Sequence, residues 1–405
     1  MKAYLDVLRQ PGIARLVASQ LLARFPAGML SLALLMHIEQ QYGTYGGAGL
    51  AIAAMAVGQG IAGPVSSRLM SRFGMRPMLV GTILVCALAL LGIALAPAVY
   101  PVTVALCAIA GLAMPPITPA VRTIYPKVVN ARRLSQLFSV DATLQELIWV
   151  VGPLAATSIA FLASTAAGLI ACSAILLLGG AWFVSAREVG QVRIPPAKLA
   201  LGGVLRNPVV LSMSALGLLM VGVYGGIETA VVAAFGHDGI ETGIIIGLSA
   251  VGSLLGGFAL GHRPVTPAGL ALRVLPILAG ALMCCLTQDP WLLGIAFFIS
   301  GVGCAPVISG SFAAVSSSVK FSQTAESYGW MGTGQLVGGA VSSAIAGLAI
   351  DRIGPMGGFI TGTAFAVAAL ALVLATWRIT PDLRGRDATP RPDTTPIDVI
   401  GDPRG

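Results

Sequence analysis

Read for its alternation of apolar and polar positions, the chain shows one dominant pattern: long apolar runs, each about the length of a bilayer-spanning helix, separated by short polar joints. Twelve such runs are predicted, at 13–38, 45–70, 76–98, 101–123, 135–163, 164–186, 208–235, 239–262, 268–287, 290–316, 324–350 and 357–378. None shows the two-residue alternation of a membrane barrel strand, and only helices satisfy their own backbone over runs of this length in hydrocarbon. The predicted fold class is all-α integral membrane, with twelve transmembrane helices.

Composition strengthens this picture. Hydrophobic residues make up 56% of the 405 and charged residues only 10%, against roughly a quarter charged in an ordinary soluble domain. The mean hydropathy is +0.88. Charge placement then sets the topology. All of the 24 Lys and Arg fall at or near the segments on the N-terminal side of the membrane, save Arg24 in the first span and Arg352 in an outer joint. The positive-inside rule therefore selects N-in, C-in. The net charge of +8 reports topology rather than nucleic-acid binding, for which no module is present. The opening "MKAYLDVLRQPG" leads into a 26-residue apolar run without a small-residue cleavage site, so a retained first helix is expected rather than a signal peptide. The six cysteines (Cys86, Cys107, Cys172, Cys284, Cys285, Cys304) all fall inside predicted spans, as packing residues rather than disulfide or zinc partners. Twenty Arg against four Lys, with abundant Ala and Gly, point to a GC-rich bacterial genome and hence to an inner or plasma membrane.

The chain also repeats itself. "GLAIAAMAVGQGIAG" (49–63) aligns with "GLSAVGSLLGG" (247–257) on the shared Ala-Val-Gly, "GLAMPPI" (111–117) with "GVGCAPV" (301–307), and "VVGPLAATSIAFLA" (150–163) with "LVGGAVSSAIAGLA" (336–349). The common order predicts six helices written twice. The halves are 1–186 and 208–378, the linker 187–207 is cytoplasmic, and the tail 379–405, rich in Pro, Asp and Arg, is expected to be disordered.

This layout resembles the major facilitator superfamily of secondary transporters over residues 10–378. Where that family shows G-x-x-x-D-R-x-G-R-R after its second span, this chain reads "SRLMSRFGMRP", with Arg68, Arg72, Gly74 and Arg76 in an inner-gate loop but Ser71 in place of the acid. The resemblance implies a gate that differs from the family's or is weaker. A second "DRIG" (351–354) falls after the eleventh span on the outer face and reads either as helix-end capping or as an outer gate. Gly152-Pro153 in the fifth span resembles the core of the drug:proton antiporter signature, and a simple helix kink accounts for it equally.

Charges inside spans need explaining, because burying one costs at least about 2.5 kcal/mol. Arg24 lies eleven residues beyond Ile13 and Glu146 eleven beyond Ser135, so both fall about 16 Å deep, and an Arg24–Glu146 pair is expected at the centre of the site. Glu146 is then either a permanent bundle-stabilising partner or a protonatable carboxylate at which substrate and proton compete. Thr143, Glu146, Val150, Pro153 and Thr157 share one helix face; Asp141, about 140° away, is expected to meet Arg122, Lys127 or Arg132 nearer the cytoplasm. Glu228, one turn after Tyr224, reads as a substrate contact in the outer half of the cavity or as a solvated helix end. Gln59, Gln145 and Gln335 read as helix glue or substrate ligands. Trp149 and Trp330 are expected near the cavity, and Pro26, Pro115, Pro116, Pro119, Pro153 and Pro306 are expected to bend their spans.

No phosphate-binding loop appears and no cofactor is expected. The three histidines (His37, His237, His262) do not cluster and no nucleophile–base set is visible, which argues against an enzyme. The sequence thus predicts a monomeric alternating-access carrier in the bilayer. It acts on a small molecule, with protons as coupling ion and efflux of an amphipathic compound as its task. A polar metabolite such as a sugar or organic acid, or a non-transporting sensor, is the alternative.

Overall fold

The structure is a computed structural model that describes residues 8–10, 12–43, 45–95, 99–195, 200–235, 240–261 and 263–393. Its spans run Ile13–Tyr42, Gly47–Phe73, Met75–Leu95, Tyr100–Val128, Arg133–Leu162, Thr165–Val184, Pro208–Phe235, Glu241–Leu260, Pro267–Cys284, Pro290–Ser318, Phe321–Ile353 and Met356–Ala375. These are the twelve expected helices, and their order builds two six-helix bundles. Large apolar side chains such as Leu88, Leu95, Phe161 and Leu178 are left on the outside, where hydrocarbon rather than water would meet them.

Two spans are broken rather than bent. The first stops at Arg24 and restarts at Pro26, which has no N–H to continue the ladder. The fourth breaks between Leu112 and Ile117, across Pro115 and Pro116. Pro153 and Pro306, by contrast, lie within continuous helices, as does Pro119 beyond the fourth-span break. Near Pro306 the backbone N–H of Ala305 is taken up by the Ser253 hydroxyl of the eighth span at 3.1 Å, one of the rescues that let proline persist in a membrane helix.

The internal repeat reappears as equivalent contacts. A methyl group at Gly111 would stand 2.1 Å from the Met55 carbonyl oxygen, and one at Gly301 2.0 Å from that of Ser249. These two pairs are the ones matched by the sequence alignment. Likewise Gly152 abuts Gly28 across the fifth and first spans, and Gly338 abuts Leu218 across the eleventh and seventh. Small residues thus allow the same backbone approaches in both halves. For Gly152 this identifies its role as close packing beside an unbroken helix.

The tail departs from expectation. Residues 380–393 are held in place: Leu383 donates its N–H to the Val265 carbonyl, Arg391 and Phe321 pair reciprocally around Val319, and Asp393 accepts from both the N–H and the hydroxyl of Ser322. Leu383 and Ala388 are buried. The same stretch, from Asp387 to Pro392, shares a groove with Pro126, Val129, Asn130 and Ala131 of the other half. Low hydrophobicity signalled disorder, but backbone pairing of this kind does not depend on side-chain composition. Residues 394–405 lie outside the described residues.

Because this strap touches both halves on the cytoplasmic face, removing residues 380–405 should destabilise the inward-closed arrangement by about 2 kcal/mol, the net worth of a few hydrogen bonds. Labelling of a cysteine placed at Val129 measures this; an unchanged labelling rate would sink the strap's role.

Candidate functional site

Between the halves lies a cavity of about 370 Å³. Its walls are largely apolar (Leu30, Ile52, Met55, Ile148, Ile308), with Trp149 and the amides of Gln59, Gln145 and Gln335 among them. The break at Phe25 and the break at 113–116 both open onto this space, since Pro26 and Met114 to Pro119 line it. The bent spans therefore shape the cavity directly.

The inner wall of the cavity is charged. Asp141 is wholly buried, and its two oxygens are divided between two guanidiniums: Oδ2 accepts from Nε of Arg122 at 2.7 Å and Oδ1 from Nη1 of Arg24 at 3.1 Å. Gln20 donates to the same Oδ1 at 3.0 Å and accepts from Arg24 at 2.8 Å. Gln145 accepts from Nη2 of Arg24 and, at 3.4 Å, from Nη2 of Arg122. Exposure is 9% for Arg24 and 2% for Arg122. The Arg122 guanidinium also lies 3.6 Å from the centre of the Phe312 ring, which comes from the other half. Charges this deep survive only when paired and hydrogen-bonded, and here one carboxylate serves two cations.

Below this network the cytoplasmic side is shut. Tyr125, Phe138, Tyr328 and Phe312 stack edge to face across the halves at 5.2 to 6.4 Å. Nearer the surface, Arg68 donates to Glu326 at 3.0 Å, and the linker's Gly202 N–H reaches the other Glu326 oxygen at 2.8 Å. Gly63 and Gly329 let the second and eleventh spans touch backbone to backbone, with a methyl group at Gly329 falling 2.6 Å from the Gly63 carbonyl oxygen. Further up, Thr333 donates to the Gly60 carbonyl at 2.8 Å. Ser71, standing where an acid was expected, donates to the Arg68 carbonyl, so Glu326 of the opposite half provides the gate's carboxylate. Arg76 ties its loop to the carbonyls of Val184 and Ala186, Arg72 packs over Phe73, and Gly74 takes a positive φ of 90° at the turn.

Glu146 sits elsewhere. It is half-buried at the seam between the fifth and eighth spans, approaching the Ser253 hydroxyl and lying within electrostatic range of Tyr224 and Cys304. Glu228 also lies within range of Cys304, and the Tyr224 hydroxyl donates to the Ser300 carbonyl at 3.1 Å.

A model of the Major Facilitator Superfamily matches residues 16–262. The chain belongs to that superfamily. Membership makes it a membrane transport protein, with the twelve-helix arrangement described above. Among curated proteins none matches the chain in sequence. Several solved superfamily structures share its fold. The human organic anion transporter MFSD10 aligns with a TM-score of 0.68 at 15% identity, over 90% of this chain and 100% of that one. A bacterial homologue of the iron transporter ferroportin in an outward-facing state aligns at 0.74 and 14% identity, over 90% and 98%. The same homologue with soaked iron aligns at 0.70 and 16% identity, with the same coverage.

Several expected placements are corrected. The carboxylate partner of Arg24 is Asp141, not Glu146. The fifth helix starts at Ala131, four residues before the expected boundary, so Asp141 is ten residues in and Glu146 fifteen. At about 1.5 Å per residue, Asp141 is level with Arg24 and Glu146 lies well above both. The stripe of Thr143 and Glu146 faces Gly257 and Ser253 of the eighth span, while Gln145, Ile148 and Trp149 line the cavity. Trp330 lies away from the cavity, with Gly202 of the linker against its ring, and Tyr224 and Glu228 are absent from the cavity lining. Of Asp141's expected partners Arg122 is the one that pairs; Lys127 instead packs on Phe321. His37 binds Thr165 and the Ile93 carbonyl, while His237 and His262 lie outside the described residues. Gln20 and Glu326 were not anticipated. A polar amide four residues before Arg24, on the same helix face, was the legible signal for Gln20.

Replacing Glu326 by Gln should weaken the inner gate by about 1 to 2 kcal/mol, shifting the population toward inward-open roughly tenfold. Distances between spin labels on the cytoplasmic ends of the second and eleventh spans measure this. An unchanged distance distribution would remove Glu326 from the gate.

Proposed function

We propose that this protein is a secondary active carrier in the cell membrane, moving a small amphipathic compound by alternating access between its two halves. The observation that carries the reading is the cavity itself: it lies between the halves, is shut toward the cytoplasm by Arg68–Glu326 and the aromatic stack, and joins apolar walls to a few convergent polar groups. Its volume suits a drug-sized solute rather than a bare ion. The fold shared with an organic anion transporter is compatible with such cargo.

The coupling ion in this reading is the proton, and its carrier is Glu146. The residue stands in the N-terminal half, but its polar neighbours Ser253, Tyr224 and Cys304 belong to the other half. Rocking the halves apart changes the surroundings of this carboxylate more than those of any cavity residue, and a carboxylate that trades its charge for a proton can feel that change. Glu228, in the same polar region, serves as a second acceptor along the seam. Efflux by antiport is the assigned direction, on the resemblance of Gly152-Pro153 to the antiporter signature. The working unit is a monomer, since both halves of the cavity come from one chain.

In proteoliposomes under an imposed pH gradient, Glu146→Gln should lose more than about nine tenths of gradient-driven accumulation while keeping solute counterflow. A mutant that accumulates like the wild type would rule Glu146 out as the coupling group. Absence of counterflow in the wild type across dyes, antibiotics and sugars would instead favour a sensor.

A further inference from the structure

The cavity's charge is unbalanced, and the imbalance identifies its cargo. We infer that the transported solute is an organic monoanion, its acidic group held by Arg122 and Arg24 at the inner wall of the cavity and its apolar body lodged against Trp149, Ile148 and Leu30. This rests on the transport reading above and adds the charge of the substrate.

The first ground is the charge count. Among the described residues, the charged side chains that line the cavity are Arg24 and Arg122; Asp141 stands behind them and does not line it. Two guanidiniums and one carboxylate, all at least nine-tenths buried, leave one positive charge facing the cavity. An uncompensated cation at this depth is costly, and the cost falls when a solute brings one negative charge. A dianion would overshoot the balance, and a cation would add to the excess.

Donor geometry gives the second ground. Both Asp141 oxygens and the Gln145 carbonyl oxygen are already engaged by the arginines. Arginine has five N–H donors and no acceptor. The Nη1 donors of Arg122 meet no acceptor among the described residues, although the residue itself is buried and lines the cavity. Phe312 packs against the face of this guanidinium, which leaves its edge to act as the donor. The planar edge of a guanidinium is the shape that a carboxylate or sulfonate recognises.

The walls supply the third ground. Beyond the arginines and three amides, the lining is chiefly aliphatic and aromatic, so a small inorganic anion would leave most of it unmatched.

The test uses the full chain in nanodiscs and matched aromatic probes that differ only in one group: aryl carboxylates, their primary amides and the corresponding arylmethylamines. Binding is read by quenching of tryptophan fluorescence and exchange by counterflow in vesicles. The acid should bind at least about tenfold tighter than its amide, the worth of one charge-assisted hydrogen bond, with the amine weakest. That preference should collapse in Arg122→Gln and partly return in Arg122→Lys. The acid-to-amide ratio in the wild type needs no mutant, so poor folding of a variant does not blunt the test. Equal binding of acid and amide, or a preference for the amine, overturns the anion assignment and leaves the transport reading intact where those probes still exchange. If no probe of any charge binds or exchanges, both fall.

Discussion

One carboxylate shared by two guanidiniums organises this molecule. Asp141 draws Arg24 of the first span and Arg122 of the fourth onto the fifth, far from bulk water, and the glutamines at 20 and 145 occupy donors and acceptors that would otherwise be buried unmet. Removing the acid would leave two cations facing each other in a medium where neither is well solvated. The arrangement also constrains the backbone. The first span is broken at Phe25 beside Arg24, and the fourth is broken just above Arg122, so both charged side chains sit where regular helix gives way. The network and the cavity above it follow from the same local geometry.

The gate follows a different principle. Its strength lies in close approach rather than in charge, because Gly63 and Gly329 bring two helix backbones into contact and the aromatic cluster fills the space beside them. The single exposed-edge ion pair, Arg68–Glu326, and the docked tail add modest increments on the water side. Contacts of this kind are individually cheap to break, as a rocking interface requires.

Spans and topology were legible because they depend on composition summed over about twenty residues, where single errors average out. The internal repeat was legible for a related reason, since the glycines that align, such as Gly111 with Gly301, are those that make equivalent backbone contacts. The centre of the site was less legible. Hydropathy placed the start of the fifth span at Ser135, but a helix can run on through polar residues into the cytoplasm, and this one begins at Ala131. Four residues amount to about 6 Å, enough to set Asp141 rather than Glu146 level with Arg24. The fourth span likewise continues to Val128, so Arg122 lies inside the bundle rather than at its rim. Periodicity grouped Thr143 with Glu146 correctly, but it could not say which neighbour that face would meet. The docked tail escaped altogether because its bonds are made by backbone groups.

The correction changes the logic of coupling. If Glu146 were the partner of Arg24, a proton and a solute would compete for one spot. In the structure every member of the Arg24–Asp141–Arg122 network belongs to the N-terminal half, whereas the polar groups around Glu146 come from the C-terminal half. A solute seated on the arginines is therefore carried by one rigid bundle, and the seam carboxylate responds to the position of that bundle against the other. Under the proposed scheme, proton and solute communicate through the equilibrium between inward- and outward-open states, each ligand shifting it only by its differential affinity for the two. Binding of one then does not need to displace the other, which separates this arrangement from direct competition at a single charged pair.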